Sequence, residues 1–490
     1  MMTETVSRES SPPLVESIVA GRAVEASTLI RVSENPARPD EPVGQYAAVG
    51  PDTVRVAVGA AAKAFESWRR RSALDRGRVL RRAAELLAER SEEIARLVTA
   101  EEGKPLADAR REVAGAVEIM QYHASSAWWP AGETYHGSRV GDMVRTVRVP
   151  LGVVGVITPW NFPVSIPAWK IAPALVHGNT VVWKPASPTP ILSVRFAQTL
   201  IDAGLEPGVL SVVLGGGDVG EALITDERVA AVSFTGSESV GRRVGRAAAD
   251  RNVKCQLELG GHNPAVVLAD ADLELTVDAL VRSVASGTGQ KCTAARRIIV
   301  EQSIYEPLVA ELSARFLRLR VGDGASDGIE VGPLVNAGAR AEVAAEIDRA
   351  LAEGCRLVAQ TPDVPGSGAF LGPTLLAADD QTPGICREEV FGPVSVILRA
   401  RDVDEAFALA ADTRYGLTAS IFTGSERIAR RAAEELPVGI LNINGPTSGS
   451  ELHLPFGGAK WSSSPGPAEQ GTAAREFYTD VRTVIATAIR

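Results

Sequence analysis

The chain has 490 residues, 45% of them hydrophobic and 23% charged, with 46 glycines and a formal net charge of −9. That balance belongs to a globular protein and excludes a disordered or fibrous one, and the length exceeds one compact core, so two domains are expected. An acidic chain without a run of five or six basic residues is a poor partner for nucleic acid or an anionic membrane.

Residues 1–15 are polar, with no apolar segment of the signal-peptide kind, and the longest apolar runs, such as 151–157, are too short to span a bilayer. A cytoplasmic protein is expected. Arg69, Arg70, Arg71, Arg76, Arg78, Arg81 and Arg82 are interleaved with acidic and apolar residues and read as a solvated helix face. Cys255, Cys292, Cys355 and Cys386 are widely spaced, with no Cys-x-x-Cys pair and no His-Glu-x-x-His helix, so neither a disulfide framework nor a metal site is expected.

Apolar residues at helical spacing over 60–100, among them Val79, Leu80, Ala83, Ala84, Leu86 and Leu87, predict long amphipathic helices that Gly103-Lys-Pro stops. Beyond 149 the texture changes to short apolar runs alternating with helical patterns. The runs are 153–157, then, after a helix to His177 closed by Gly178-Asn179, 180–183, 209–214, 229–234 and 265–268. This alternation predicts a doubly wound parallel sheet, because a parallel pair needs a crossover and the crossover helix covers the sheet. Such sheets bind ligands beyond their strand ends. A second α/β pattern spans 273–443, so the fold class is α/β with two doubly wound parallel-sheet domains. Segments 140–149 and 477–489 read as strands outside both patterns and as edges for subunit contact.

Gly215-Gly-Gly217-Asp-Val-Gly220 follows an apolar run and precedes a helix, matching the spelling of a dinucleotide fingerprint. The acidic residue such a motif needs about 20 positions on is only Glu238, in a Ser-rich helix start, so a plain strand-to-helix turn explains the glycines equally well. Phe234-Thr-Gly-Ser237 is the better phosphate candidate. There a strand ends and a helix over 240–249 begins, offering free backbone N–H groups; Ser237 could instead simply cap that helix.

Three stretches carry chemistry. Cys292 lies in Gly-Thr-Gly-Gln-Lys-Cys-Thr over 287–293, a small-residue loop beside Lys291, where an exposed, electropositive and reactive thiol is expected, unless Lys291 points away and serves only the loop. Pro159-Trp-Asn-Phe-Pro163 holds Asn161 in a proline-fixed loop, as an oxyanion donor or as a helix cap. Leu257-Glu-Leu-Gly-Gly261 sets Glu258 between apolar residues, where desolvation raises a carboxylate toward the range of a useful base.

Together with Trp183-Lys-Pro-Ala, Glu389-Val-Phe-Gly-Pro393, Tyr415-Gly-Leu and Pro455-Phe-Gly-Gly458, these stretches resemble the aldehyde dehydrogenase superfamily in order over nearly the whole chain. The resemblance implies nicotinamide-dependent oxidation of an aldehyde. Cys292 would attack the carbonyl, with Asn161 and the Cys292 N–H holding the oxyanion, and Glu258 would activate the water that hydrolyses the resulting thioester and could also help deprotonate the thiol. It implies a cofactor-binding domain over 1–130 and 151–260, a catalytic domain over 261–460, and oligomerisation strands over 131–150 and 474–490 of a homodimer or homotetramer.

For the cofactor the resemblance assigns Lys184, which it also places among the catalytic residues, to the adenosine ribose or its phosphate. It assigns Ser237 to the pyrophosphate and Glu389 with Phe391 to the nicotinamide ribose and ring, with Ile157, Trp160, Gly220, Phe234 and Leu259 along the crevice. Ser187 stands where NAD-preferring relatives often carry a glutamate that repels a 2′-phosphate, so NADP or NAD, with a lean toward NADP, is expected. His262 replaces a common lysine, and Ala468-Glu-Gln-Gly471 lacks an arginine common before the Glu. Gly-Gln-Lys-Cys292-Thr-Ala and the tail over 462–479 look like the bacterial 2-oxoglutarate semialdehyde (2,5-dioxopentanoate) dehydrogenases. Phe162, Trp169 and Phe456 would wall the substrate tunnel, or serve only as core. No residue announces itself as the anchor of the substrate's distal carboxylate. Rival readings are a succinate-semialdehyde or broad-range enzyme, a coenzyme A-acylating relative, which would typically lack the base at 258, and a non-catalytic member.

Overall fold

The computed structural model describes residues 13–24, 29–449 and 451–487; the polar start, 1–12, and the final positions, 488–490, lie outside the described residues. Four helices, Pro51–Trp68, Ala73–Glu89, Ser91–Glu102 and Leu106–Ser125, fill the amphipathic amino-terminal third. The second starts where Ser72 accepts from the Asp75 amide, and the third stops at Gly103, whose φ of 97° places it in the left-handed region that glycine tolerates. The arginine-rich face is solvated except at one position. Arg76 is buried and its Nε donates to Val176 O at 2.8 Å, satisfying a carbonyl at the end of helix Ser165–Val176.

The first large sheet has the order Lys254–Glu258, Val229–Thr235, Val153–Ile157, Thr180–Lys184, Leu210–Val212, Ile18–Val19, Arg22–Ala23. Its first five strands are parallel, and the short amino-terminal pair is antiparallel. Strands Val153–Ile157 and Thr180–Lys184 are buried along nearly their whole length, which is why they read as continuous apolar runs. From Val153–Ile157 the chain winds first to one side and later to the other, so the topological switch lies between Val153–Ile157 and Val229–Thr235.

The second sheet has the order Arg356–Gln360, Thr374–Ala377, Val394–Ala400, Ala295–Glu301, Asn263–Val267, Thr418–Phe422, Ile440–Ile443, all parallel but the first. The apolar run at 265–268, expected to continue the first sheet, is a strand of this second one, while Lys254–Glu258, too polar to stand out as a run, closes the first. Hydrogen-bonding register, not local composition, decides which sheet each joins.

Outside both sheets Met143–Pro150 pairs antiparallel with Thr479–Ala486 over eight residues, with Thr134–Tyr135 on its other side. The segment expected as a strand from 477 begins instead as a short helix, Ala473–Tyr478. The ribbon leaves Thr479–Ala486 as an open edge bearing exposed Val481 and Ile485. Asn179 ties the layers together. Its Oδ1 accepts from Leu151 N at 2.7 Å and Gly152 N at 3.1 Å, and its Nδ2 donates to Ala174 O at 3.1 Å and Tyr478 O at 2.9 Å. Asn179→Ala strands these buried groups and is expected to destabilise the protein by about 2–4 kcal/mol, read from urea unfolding.

Candidate active site

The strand at the switch point runs into the loop that carries Asn161. Lys104 Nζ donates to Asn161 O at 2.6 Å and to Glu112 Oε2 at 2.7 Å. Glu112 Oε1 accepts from Val164 N at 2.9 Å and Ser165 N at 3.2 Å, placing its charge at the amino-terminal end of helix Ser165–Val176. A buried ion pair thus fixes the backbone on both sides of the amide. One Asn161 N–H donates to Gln290 O at 2.9 Å, two residues before Cys292, and the other is left for a ligand.

The thiol loop is held just as firmly. Gly287, Thr288 and Gly289 take positive φ values of 61°, 56° and 64°, a strained run for the threonine, which is buried with its hydroxyl donating to Gly332 O at 3.2 Å. Arg296 donates to Gly289 O at 2.9 Å and to Lys291 O at 3.2 Å, and Asn263 Nδ2 to Cys292 O at 2.7 Å. The electrostatics differ from the expected electropositive, exposed setting. Burial, with the carboxylates Glu389, Glu258 and Glu469 next in weight, pushes the Cys292 thiol up to about 12. The Lys291 ammonium donates to Ser286 Oγ and, at 3.5 Å, to Ser448 Oγ.

Glu258 ends its strand at the same place. It is buried, and Ser463 Oγ donates to its Oε2 at 2.8 Å. Desolvation, then the neighbouring charge of Glu469, holds its carboxyl well above the usual range, with Ser463 and Lys170 opposing. Glu469 in turn pairs with the fully buried Lys170, whose Nζ also donates to Ser233 Oγ at 2.9 Å.

Two clefts of about 630 and 500 Å³ share Arg243 and Arg246 and run on from one another along the carboxyl edge of the first sheet. The first is lined by Ile157, Lys184, Gly217, Asp218, Gly220 and Phe234. The second passes the start of helix Glu238–Asp250 at Ser237 and reaches Glu389 and Tyr415. Ser237 sits at the N-cap without using its hydroxyl as a cap, so the first amides of that helix stay open to a ligand. A Cβ at Gly260 would strike Glu389 Oε2 at 1.9 Å, so glycine is needed there, whereas one at Gly220 would make ordinary contact with Lys184 Cδ at 3.6 Å. The trough, with its anion-binding helix start at the switch point, fits a dinucleotide. Gly217 and Gly220 of the glycine turn line the first cleft together with Ile157 and Phe234, while the second cleft, at the start of helix Glu238–Asp250, is lined without them.

Comparison with known proteins agrees. The aldehyde dehydrogenase family pattern matches residues 24–484. The chain is 42% identical over 455 residues to a Haloferax volcanii protein named alpha-ketoglutarate semialdehyde dehydrogenase, covering 92% of this chain and 94% of that one. Among solved structures, an NADP dependent enzyme of E. coli superposes with a TM-score of 0.93 at 33% identity, covering 96% of this chain and 98% of that one. Betaine aldehyde dehydrogenase from Staphylococcus aureus, solved in complex with NAD+, gives 0.92 at 31% identity over 96% of this chain and 94% of its own. The chain belongs to the aldehyde dehydrogenase family.

In this aldehyde dehydrogenase Trp160 and Phe391 meet edge to face at 5.6 Å, beside Arg296, whose guanidinium lies 5.7 Å from the Phe391 ring. Leu259 is buried against Gly241. Burial lowers Lys184 to about 8, against the field of Asp218; its Nζ donates to Pro185 O at 2.9 Å, and Ser187 Oγ reaches Gly215 O at 3.4 Å. Phe162 stacks under Lys104 at 4.4 Å, and Trp169 packs on Phe456 at 5.4 Å, with Trp169 also against the main core. Sequence reasoning missed Lys104, Glu112, Lys170, Glu469 and Arg296 as parts of the site. A lysine in an otherwise apolar helix, Ser165–Val176, was the available sign for Lys170.

Glu389 yields a stability test. Burial pushes it up to about 7 from an ordinary value of 4.5, opposed by Arg296 and the Gly261 amide. Between those values the unfolded chain loses a proton that the folded one keeps, so the native state loses stability as pH rises from 4.5 and carries the whole penalty above 7. Glu389→Gln is therefore expected to raise stability by up to about 3 kcal/mol at pH 8, and to change it little at pH 4.5, measured by thermal unfolding across pH.

Proposed function

We propose that this enzyme oxidises a carboxylated semialdehyde, such as 2-oxoglutarate semialdehyde, to the dicarboxylate with NAD(P) as hydride acceptor. The observation that carries the reaction is the meeting of Cys292, Asn161 and Glu258 where the first sheet's carboxyl edge faces the second sheet's amino edge. The substrate class is supported by the identity to the Haloferax relative and by that relative's name.

Cys292 gives up its thiol proton, with Glu258 as the nearby acceptor, Sγ adds to the aldehyde carbon, and the free Asn161 N–H and the Cys292 amide donate to the oxygen that becomes negative. NAD(P), when bound along the trough, supplies the two-electron acceptor. The chain's own part is to leave room at Gly260 for Glu389 and to hold Glu389 against Gly261 N at 3.3 Å. Glu258 then takes a proton from the water that hydrolyses the Cys292 thioester, and the presence of this base favours water over coenzyme A as acyl acceptor. Glu258→Gln is expected to give one burst of reduced cofactor per site and then a steady rate at least about 100-fold below the parent. Cys292→Ala is expected to give no burst, both read at 340 nm in a stopped-flow instrument.

Cofactor choice rests on Ser187, which puts no carboxylate beside Lys184, and on Asp218, which returns one negative charge to the same cleft. The reading is use of both NADP and NAD, with a lean toward NADP. Ser187→Glu is expected to lower kcat/KM for NADP about 10–100-fold while sparing NAD. A parent enzyme about a hundredfold more efficient with NAD would overturn the lean.

The open edge of Thr479–Ala486, with Val481 and Ile485 exposed, suits an oligomer that extends a neighbour's sheet. All four cysteines are free, which suits a reducing, cytoplasmic setting. No helix among the described residues is long and apolar enough to cross a membrane.

A further inference from the structure

The buried cations near the thiol are of two kinds. Lys104 is matched by Glu112 at 2.7 Å and Lys170 by Glu469, while Arg296 is held by carbonyl oxygens with Glu389 at 3.9 Å. Lys291 belongs to neither arrangement. Among the described residues no carboxylate lies within ion-pair distance of its ammonium, and its partners are two hydroxyls, Ser286 Oγ and Ser448 Oγ. Asp108, the carboxylate that acts on it most, is itself paired with Arg111. A buried ammonium without a counter-ion is costly. The chain keeps this one in the residue directly before its nucleophile, hydrogen-bonded to hydroxyls, while burial and then the surrounding carboxylates push the sulfur toward the neutral thiol.

The dimensions suit a ligand with its own charge. A lysine side chain carries its ammonium about 6 Å from its Cα, and in an extended five-carbon semialdehyde the aldehyde and distal carboxylate carbons are roughly 5 Å apart, from C–C bonds near 1.5 Å. A substrate bonded at Cys292 can therefore lay its far end toward the next residue's ammonium. Ser286 Oγ is engaged as a donor to Arg282 O at 2.6 Å, whereas Ser448 Oγ, on the strap after strand Ile440–Ile443, is free to donate. An ammonium and a hydroxyl together make a charge-assisted carboxylate clamp.

We propose that Lys291, assisted by Ser448, anchors the distal carboxylate of the semialdehyde. This rests on the semialdehyde reading above. The carboxylate supplies the counter-ion the fold withholds, so binding gains what the empty pocket lacks, and an aldehyde without the charge gains nothing from Lys291.

The test is the ratio of kcat/KM for 2-oxoglutarate semialdehyde to that for pentanal, an uncharged aldehyde of equal length. Lys291→Met is expected to lower this ratio about 10–100-fold, chiefly through KM, with Lys291→Arg recovering part of it. Ser448→Ala, which leaves the ammonium in place, is expected to lower it about 2–5-fold. Protection of Cys292 from alkylation by glutarate, read by mass spectrometry, is expected to need at least about tenfold more glutarate in Lys291→Met. A parent that prefers the semialdehyde and a Lys291→Met protein with the same ratio would overturn the anchor and leave the substrate class standing. A parent without that preference would overturn both. Should Lys291→Met fail to fold, an unchanged ratio in Ser448→Ala together with no glutarate protection in the parent would count against the anchor.

Discussion

Everything at the site depends on how closely the chain crosses from one sheet to the other. Glu258 is the last residue of the first sheet and Asn263 the first of the second, with four residues between them. So short a link forces the carboxyl edge of one sheet against the amino edge of the other. The link survives only because its middle has no side chains: a Cβ at Gly260 would strike Glu389, and one at Gly261 would lie 2.8 Å from Cys292 O and 2.6 Å from Asn263 Oδ1. The backbone itself is the wall between the trough and the thiol loop. Asn263, fixed by its place at the start of a strand, then reaches Cys292 O and Ala294 O and sets the height of the nucleophile.

Around this crossing the fold uses buried charge for positioning. Lys104 and Glu112 come from the region of the long amino-terminal helices, yet they hold the Asn161 loop and the helix after it. Arg296, inside a strand, ties together the carbonyls of Gly289, Lys291 and Gly392. Replacing any of these cations leaves a buried carboxylate or several carbonyls without a partner, so the loops are fixed by what it would cost to let them move.

Periodicity made the helices and the buried parallel strands legible, because both leave a repeat in the apolar residues. The three residues nearest the chemistry were legible for another reason: cysteine in a glycine loop, asparagine between prolines and a carboxylate between leucines are each odd enough to ask for an explanation. The strand Lys254–Glu258 was not legible, since Lys254 and Gln256 break the apolar run, and the sheet membership of Asn263–Val267 depends on pairings far away in sequence. The direction of Lys291 was equally hidden. Adjacency to Cys292 left Lys291 either as an activating charge or as a loop residue pointing elsewhere, and its serine partners, Ser286 and the distant Ser448, are set by the fold. Glu469 and Lys170 lie 299 residues apart, and only the fold brings them together behind Glu258.

The cluster of carboxylates around the sulfur also orders the chemistry. Cys292 and Glu258 each hold their proton more tightly because of burial, and negative charge on Glu258 raises the thiol further. Beside Glu389 and Glu469 each further negative charge at this depth is disfavoured, so an ionised sulfur and an ionised Glu258 oppose one another. Charge on the sulfur or the oxyanion therefore favours the protonated form of Glu258. Once the sulfur is tied up in a neutral thioester that penalty lifts, and Ser463 with Lys170 can favour the ionised carboxylate that draws a proton from water. On this reading the base is released by the completion of the first half of the reaction, and an electropositive thiol loop would have removed that coupling.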